Sequence, residues 1–154
     1  MPALEAIRKI GFFKDLSDDE IERIAALCKE KSYQSGEIII EEDMPGEAIY
    51  IMETGKVRVV KMEGGNERSL AEAGPGEHVG EMSLIDGMTT SARVVASEPT
   101  ECFLLYKEDF DLLLASDDKL HIKILRTITC KMAERLRRTT EDLMVWKLEF
   151  NEEF

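Results

Sequence analysis

Turn-forming residues are confined to one part of this 154-residue chain. All ten glycines fall between Gly11 and Gly87, three of the four prolines fall between Pro45 and Pro99, and neither residue recurs after Pro99. Glycine supplies positive φ and proline a fixed φ, so a segment rich in both folds as short elements joined by tight turns. A segment with neither can run on as helix. The expectation is a β core between helical ends.

Residue periodicity fills in this outline. Leu4 to Ile10 reads as a short amphipathic helix, followed by the apolar anchors Phe12, Phe13 and Leu16. Ser17 with Glu20 three residues on is a capping box, and Ile21, Ile24, Ala25 and Cys28 then recur at helical spacing. From Ser35 the pattern changes to short strands: Glu37 to Glu41, Ala48 to Glu53, Lys56 to Lys61, Glu67 to Ala73, Ala92 to Ala96 and Thr100 to Tyr106. The last is mostly apolar and is expected to be buried on both faces. Short strands at near-regular spacing indicate a sandwich or barrel. Helical spacing returns at Phe110, Leu113 and Leu114, and Ser116 is the expected cap of a long helix reaching about Glu149. Its apolar stripe is Leu120, Ile124, Leu125, Ile128, Met132, Leu136, Leu143 and Trp146, with Lys131, Arg135, Arg137 and Arg138 on the other side.

Composition bounds the partners. A length of 154 residues with 44% apolar content suits one domain with a sizeable core. The formal charge of −12 repels phosphate backbones, which argues against nucleic-acid binding. Cys28, Cys102 and Cys130 are odd in number and widely spaced, as expected of buried free thiols in a reducing compartment. No apolar run approaches the ~18 residues of a membrane span, and no basic-then-apolar signal opens the chain. A cytoplasmic, non-membrane protein is the expectation.

The stretch most suggestive of a ligand site runs from Gly74-Pro75-Gly76 through Gly80-Glu81-Met82-Ser83-Leu84 and the Asp86-Gly87 turn to Thr90-Ser91-Ala92. A carboxylate in a loop of small residues calls for a donor, and backbone N–H groups near a short helical turn suit an anion. In this order it resembles the phosphate-binding cassette of cyclic-nucleotide-binding domains, the family of catabolite activator proteins and regulatory subunits of cyclic-AMP-dependent kinases. Ser35-Gly36-Glu37, Met44-Pro45-Gly46-Glu47-Ala48-Ile49-Tyr50-Ile51 and Thr54-Gly55-Lys56-Val57 support the resemblance. It implies an eight-stranded β-roll (a double-stranded β-helix of jelly-roll or cupin-like form) with N-terminal helices over residues 1–115. Residues 116–154 are then a C-terminal helix that lids the pocket and pairs with its counterpart in a homodimer.

The resemblance also implies a site. Gly80, Glu81, Met82, Ser83, Thr90, Ser91 and Ala92 are the expected ligand contacts, with Glu81 on the ribose and Ser91, Ala92 and loop N–H groups on the phosphate of cyclic AMP or cyclic GMP. One position departs from the family pattern, because Thr90 stands where the phosphate-pairing arginine belongs. Arg93 is a candidate substitute, but strand alternation sets it on the face opposite Ala92 and Val94, so a surface-paired arginine is the expectation. His78 is expected at the surface. With only His78 and His121, a cupin-type metal site is not expected, and no phosphate loop, nucleophile elbow or paired catalytic acids appear. The expected function is a non-enzymatic sensor module, without cofactor, that signals to an unidentified partner protein. The chain carries no helix-turn-helix segment after the long helix, so no output domain of its own is expected. The alternative is a domain that has lost the ligand and serves as an interaction or dimerisation scaffold.

Overall fold

The computed structural model describes residues 2–150. It builds two four-stranded antiparallel sheets flanked by helices. In chain order the elements are α1 (Pro2–Arg8), a 3₁₀ turn (Gly11–Phe13), α2 (Asp18–Leu27), β1 (Lys29–Tyr33), β2 (Ile38–Ile40), β3 (Ala48–Thr54), β4 (Val57–Glu63) and β5 (Asn66–Ala73). There follow β6 (His78–Val79), α3 (Glu81–Asp86), β7 (Arg93–Ala96), β8 (Thr100–Tyr106), α4 (Lys107–Ser116) and α5 (Asp118–Phe150). One sheet has the order β1-β8-β3-β6 and the other β2-β7-β4-β5. This is the expected eight-stranded roll with N-terminal helices and a long C-terminal helix.

Period-two alternation in β3 and β8 creates two cores. Ile49, Ile51, Phe103 and Leu105 face the helices, where they meet Ile7, Phe13, Ile24, Phe110, Leu120 and Ile124. Their neighbours Ala48, Tyr50, Met52, Cys102 and Leu104 face the roll interior with Val57, Val94 and Ala96. The central strands are therefore apolar on both faces, as the run Thr100 to Tyr106 suggested. Such burial contributes roughly 25 cal/mol per Å² of apolar surface.

The capping box at α2 forms as read: Ser17 Oγ accepts from Glu20 N–H, and the Glu20 carboxylate accepts from Ser17 N–H. The long helix starts differently. Asp117, not Ser116, caps α5, accepting from Leu120 N–H at 3.1 Å, while the Ser116 hydroxyl turns back to the Leu113 carbonyl of α4. Asp117 is further held by Arg23 at 2.7 Å, which ties the start of α5 to α2. Cysteine burial also differs from the expectation, since Cys102 is buried, Cys28 half-buried and Cys130 exposed. Cys130 lies on α5 beside Lys14 and Asp15. No described helix is long and apolar enough to cross a membrane.

Candidate functional site

Both ends of the cassette are pinned to other elements. At its start β6 pairs with β3, Tyr50 opposite Val79 and Ile51 opposite His78. The chain then turns at Gly80 with φ of 90°, where a Cβ would stand 2.7 Å from the Ala48 carbonyl oxygen, so only glycine passes here. At its far end Thr89 bridges Pro45, Thr90 N–H donates to the Met44 carbonyl, and Asp43 N–H donates to the Thr90 carbonyl. Between these anchors α3 opens on Glu81. The cassette encloses a cleft of about 290 Å³, walled by Ile40, Val59, Ala71 and Val94 and edged by Gly80, Glu81, Met82, Thr90, Ser91 and Ala92. That size lies near the lower end for small-molecule sites, about 300–1,000 Å³. The expected contacts are thus brought together, except that the side chain of Ser83 lies outside the described residues.

Glu81 is the charged group at the inner edge, 16% exposed. Burial alone would raise its pKa. His78 Nδ1 at 3.5 Å from one carboxylate oxygen, its own backbone N–H and the Arg135 guanidinium at 3.7 Å from the other oxygen outweigh burial and hold it below the ordinary carboxylate value. Two expectations are corrected here. His78 is half-buried rather than a surface residue, with its ring 5.4 Å from that of Phe12. Arg135 does not belong to the far side of the long helix, because it reaches back to the roll and links α5 to Glu81 of the cassette. Lys131 likewise lies against the roll, across Gly11 of the 3₁₀ turn. Helical periodicity finds apolar stripes, and an arginine facing a buried acid looks the same in sequence as one facing water. No residue of α5 lines the cleft itself, so the lid that the resemblance implied is not closed over it.

Thr90 is buried, and its hydroxyl is already engaged. Oγ1 donates to the Glu41 carbonyl and accepts from Met44 N–H at 3.2 Å. The residue at the arginine position therefore fastens the cassette to the β2–β3 loop. Arg93 stands on the opposite face of β7 and pairs with Glu41 at 2.8 Å, the surface-paired role expected of it. The acids Glu72, Glu77 and Glu81 line the cleft, and no arginine or lysine does. Among the described residues no group of three His, Cys, Asp or Glu side chains is placed to hold a metal ion.

The cyclic nucleotide-binding domain profile matches residues 30–117, more than half of the chain. The chain belongs to the cyclic nucleotide-binding domain family. Over 141 residues it is 36% identical to the cyclic AMP receptor protein of Thermus thermophilus, an alignment covering 91% of this chain and 62% of that protein. The crystal structure of the Thermus thermophilus catabolite activator protein superposes with a TM-score of 0.75 at 32% identity, covering 90% of this chain and 63% of that one. This cyclic nucleotide-binding domain chain thus spans less than two thirds of the length of those relatives. A further solved structure is also similar. The regulatory subunit of a cAMP-independent protein kinase A from Trypanosoma brucei, solved as a triple mutant bound to cAMP, superposes with a TM-score of 0.69 at 26% identity, covering 83% of this chain and 45% of that one. One of its three changes replaces threonine by arginine.

Proposed function

We propose that this chain is a regulatory sensor module whose cleft receives a cyclic nucleotide and which reports occupancy through α5 to a partner protein. The observation that supports it is Glu81: a buried carboxylate kept ionised at the inner edge of a cleft, fit to accept from a ribose hydroxyl. Its second partner is Arg135 of α5, so an event at the ribose subsite is felt by the helix that would carry the signal. Ser91, Ala92 and the backbone of Gly80 to Ser83 are the groups offered to the phosphate. Without a guanidinium this grip is weakened. Removing one partner of a desolvated charge pair costs roughly 2–5 kcal/mol, which is about 30- to several-thousand-fold in affinity. Weak binding is the expectation, tested by following backbone amide shifts of residues 79–92 as cyclic AMP or cyclic GMP is added. No shift at millimolar nucleotide sinks the reading.

Dimerisation belongs to the same proposal. α5 is about 50 Å long at 1.5 Å per residue; Arg135 and Arg138 still stand beside Phe12 and His78, and the side chains from Thr139 to Trp146 are exposed. Ile122, Leu125, Leu136, Leu143 and Trp146 are exposed along it. With Thr129, Met132 and Thr139 they repeat at alternating steps of three and four, the spacing of a two-helix seam. A second copy of this chain is the partner such a seam fits.

One observation favours a second reading, in which the fold is a scaffold that no longer binds the nucleotide. Thr90 is spent on Glu41 and Met44, and the cleft lining is acidic. The relative whose mutant form, with threonine changed to arginine among three substitutions, is bound to cAMP is named cAMP-independent. Under this reading Thr90→Arg gains binding that the native chain lacks.

A further inference from the structure

A cation stands beside Ser91 of the cassette, and it comes from another strand. β4 pairs with β7 without a register shift, Val59 opposite Val94 and Val60 opposite Arg93. The ladder ends there, and Lys61, the next residue of β4, shares by strand alternation the face of Val59, whose partner Val94 lines the cleft; Lys61 is not itself a lining residue and meets the cassette through its ammonium. The irregularity in the β4–β5 ribbon belongs to β5, where Leu70 is the extra residue between Ala71 and Ser69, so the alternation of β4 is intact. Lys61 Nζ donates to the Ser91 carbonyl at 3.0 Å. It is also 2.8 Å from Glu42 Oε1, with 43% of the Lys61 side chain exposed and only 12% of Glu42.

Glu42 Oε1 is buried, and the Lys61 ammonium 2.8 Å away offsets its charge. The lysine stem has four rotatable carbons and ends in a compact point charge, which can change partners without moving the backbone. Arg93 has no such freedom, because its guanidinium is committed to Glu41 on the other face of β7. A cyclic phosphodiester carries a single negative charge, so one cation suffices to neutralise it. Interaction with Glu42 also raises the pKa of Lys61, keeping it charged.

We propose that Lys61 is the charge partner of the bound phosphodiester in this chain, and that Glu42 holds it in reserve while the cleft is empty. The proposal rests on the reading that the phosphate of the ligand sits at Ser91 and Ala92. It accounts for a cassette without arginine: the charge arrives from β4, and an internal carboxylate competes for it, which lowers affinity relative to a dedicated guanidinium.

The test is calorimetric titration of cyclic AMP, and of uncharged adenosine, into the native protein, Lys61→Met, Lys61→Arg, Glu42→Gln and Thr90→Arg, with thermal melts to establish that each is folded. Lys61→Met is expected to weaken cyclic AMP at least tenfold (about 1.4 kcal/mol) while adenosine is unchanged. Lys61→Arg is expected to stay within threefold of native, and Glu42→Gln to bind several-fold tighter. Binding by Glu42→Gln where native binding is too weak to measure supports the proposal equally. Native affinity in Lys61→Met overturns it, as does equal loss of cyclic AMP and adenosine, which marks a structural lysine; if adenosine is too weak to measure, a loss shared by Lys61→Arg does the same. If only Thr90→Arg binds, the cassette reading stands and the role of Lys61 falls. If no variant binds, the ligand reading itself fails and takes this proposal with it.

Discussion

Replacing Thr90 by valine keeps the shape of the side chain and removes its hydroxyl. Two groups lose a partner at once, the Glu41 carbonyl and Met44 N–H, in a site where Thr90 is 8% exposed. Leaving a buried polar group unsatisfied costs about 1–3 kcal/mol. The two groups adjoin one another in one loop and relax together, so a total near 2 kcal/mol is expected, and for a chain of this length that lowers Tm by about 4–8 °C. Urea unfolding followed by circular dichroism measures it, with Thr90→Ser as the control that keeps the hydroxyl and stays within about 1 kcal/mol. A Thr90→Val protein within about 0.5 kcal/mol of native would refute the reasoning that Thr90 is a structural fastener. The same logic makes Thr90→Arg less stable than native without ligand. Ligand that binds the folded state then returns stability, about 2.7 kcal/mol at a hundred times Kd.

Three further outcomes follow from the site and the helix. Glu81 has a folded pKa below its unfolded value, so its contribution to stability is fully present above about pH 4.3 and is lost as pH falls through the folded value. Arg135→Ala should raise the Glu81 pKa in a carboxyl NMR titration; an unmoved titration contradicts the Glu81–Arg135 link. Leu136→Glu with Leu143→Glu should turn a dimer into a monomer by sedimentation velocity without lowering Tm of the roll, since both side chains are exposed in the single chain; an unchanged sedimentation coefficient rejects the seam. Burial pushes the thiols of Cys28 and Cys102 up to about 11, while Cys130 is exposed. A maleimide should therefore label one cysteine rapidly in the folded protein, and labelling of all three at one rate would contradict the packing.

Sequence carried most of the architecture because its signals are local. The Ser17–Glu20 box, the apolar alternation of β3 and β8, and the absence of glycine and proline after Pro99 each act within a few residues. What escaped is what lacks local contrast. β1, Lys29-Glu30-Lys31-Ser32-Tyr33, is an edge strand with one buried side chain, so it carries no alternating pattern. β6 has two residues, too short for a period, whereas the six-residue α3 is the short helical turn expected at Glu81. Ser116 and Asp117 are both good caps in isolation, and the Arg23 contact from α2 favours the second. The site divides the same way. Gly80, Glu81, Ser91 and Ala92 could be picked from the cassette pattern, whereas the partners that set their chemistry come from 46 to 52 positions away for Thr90 and Arg93 and 30 for Lys61 and Ser91. Arg135 meets Glu81 across a comparable gap.

The central claim is that the cleft takes a cyclic nucleotide with a weakened phosphate grip. Calorimetric titration of cyclic AMP, with cyclic GMP beside it, into the native protein and into Thr90→Arg tests it most directly. The account predicts measurable native binding at high micromolar to millimolar nucleotide, strengthened at least tenfold by the arginine. No heat from the native protein together with tight binding by Thr90→Arg contradicts it and leaves a scaffold that has lost its ligand.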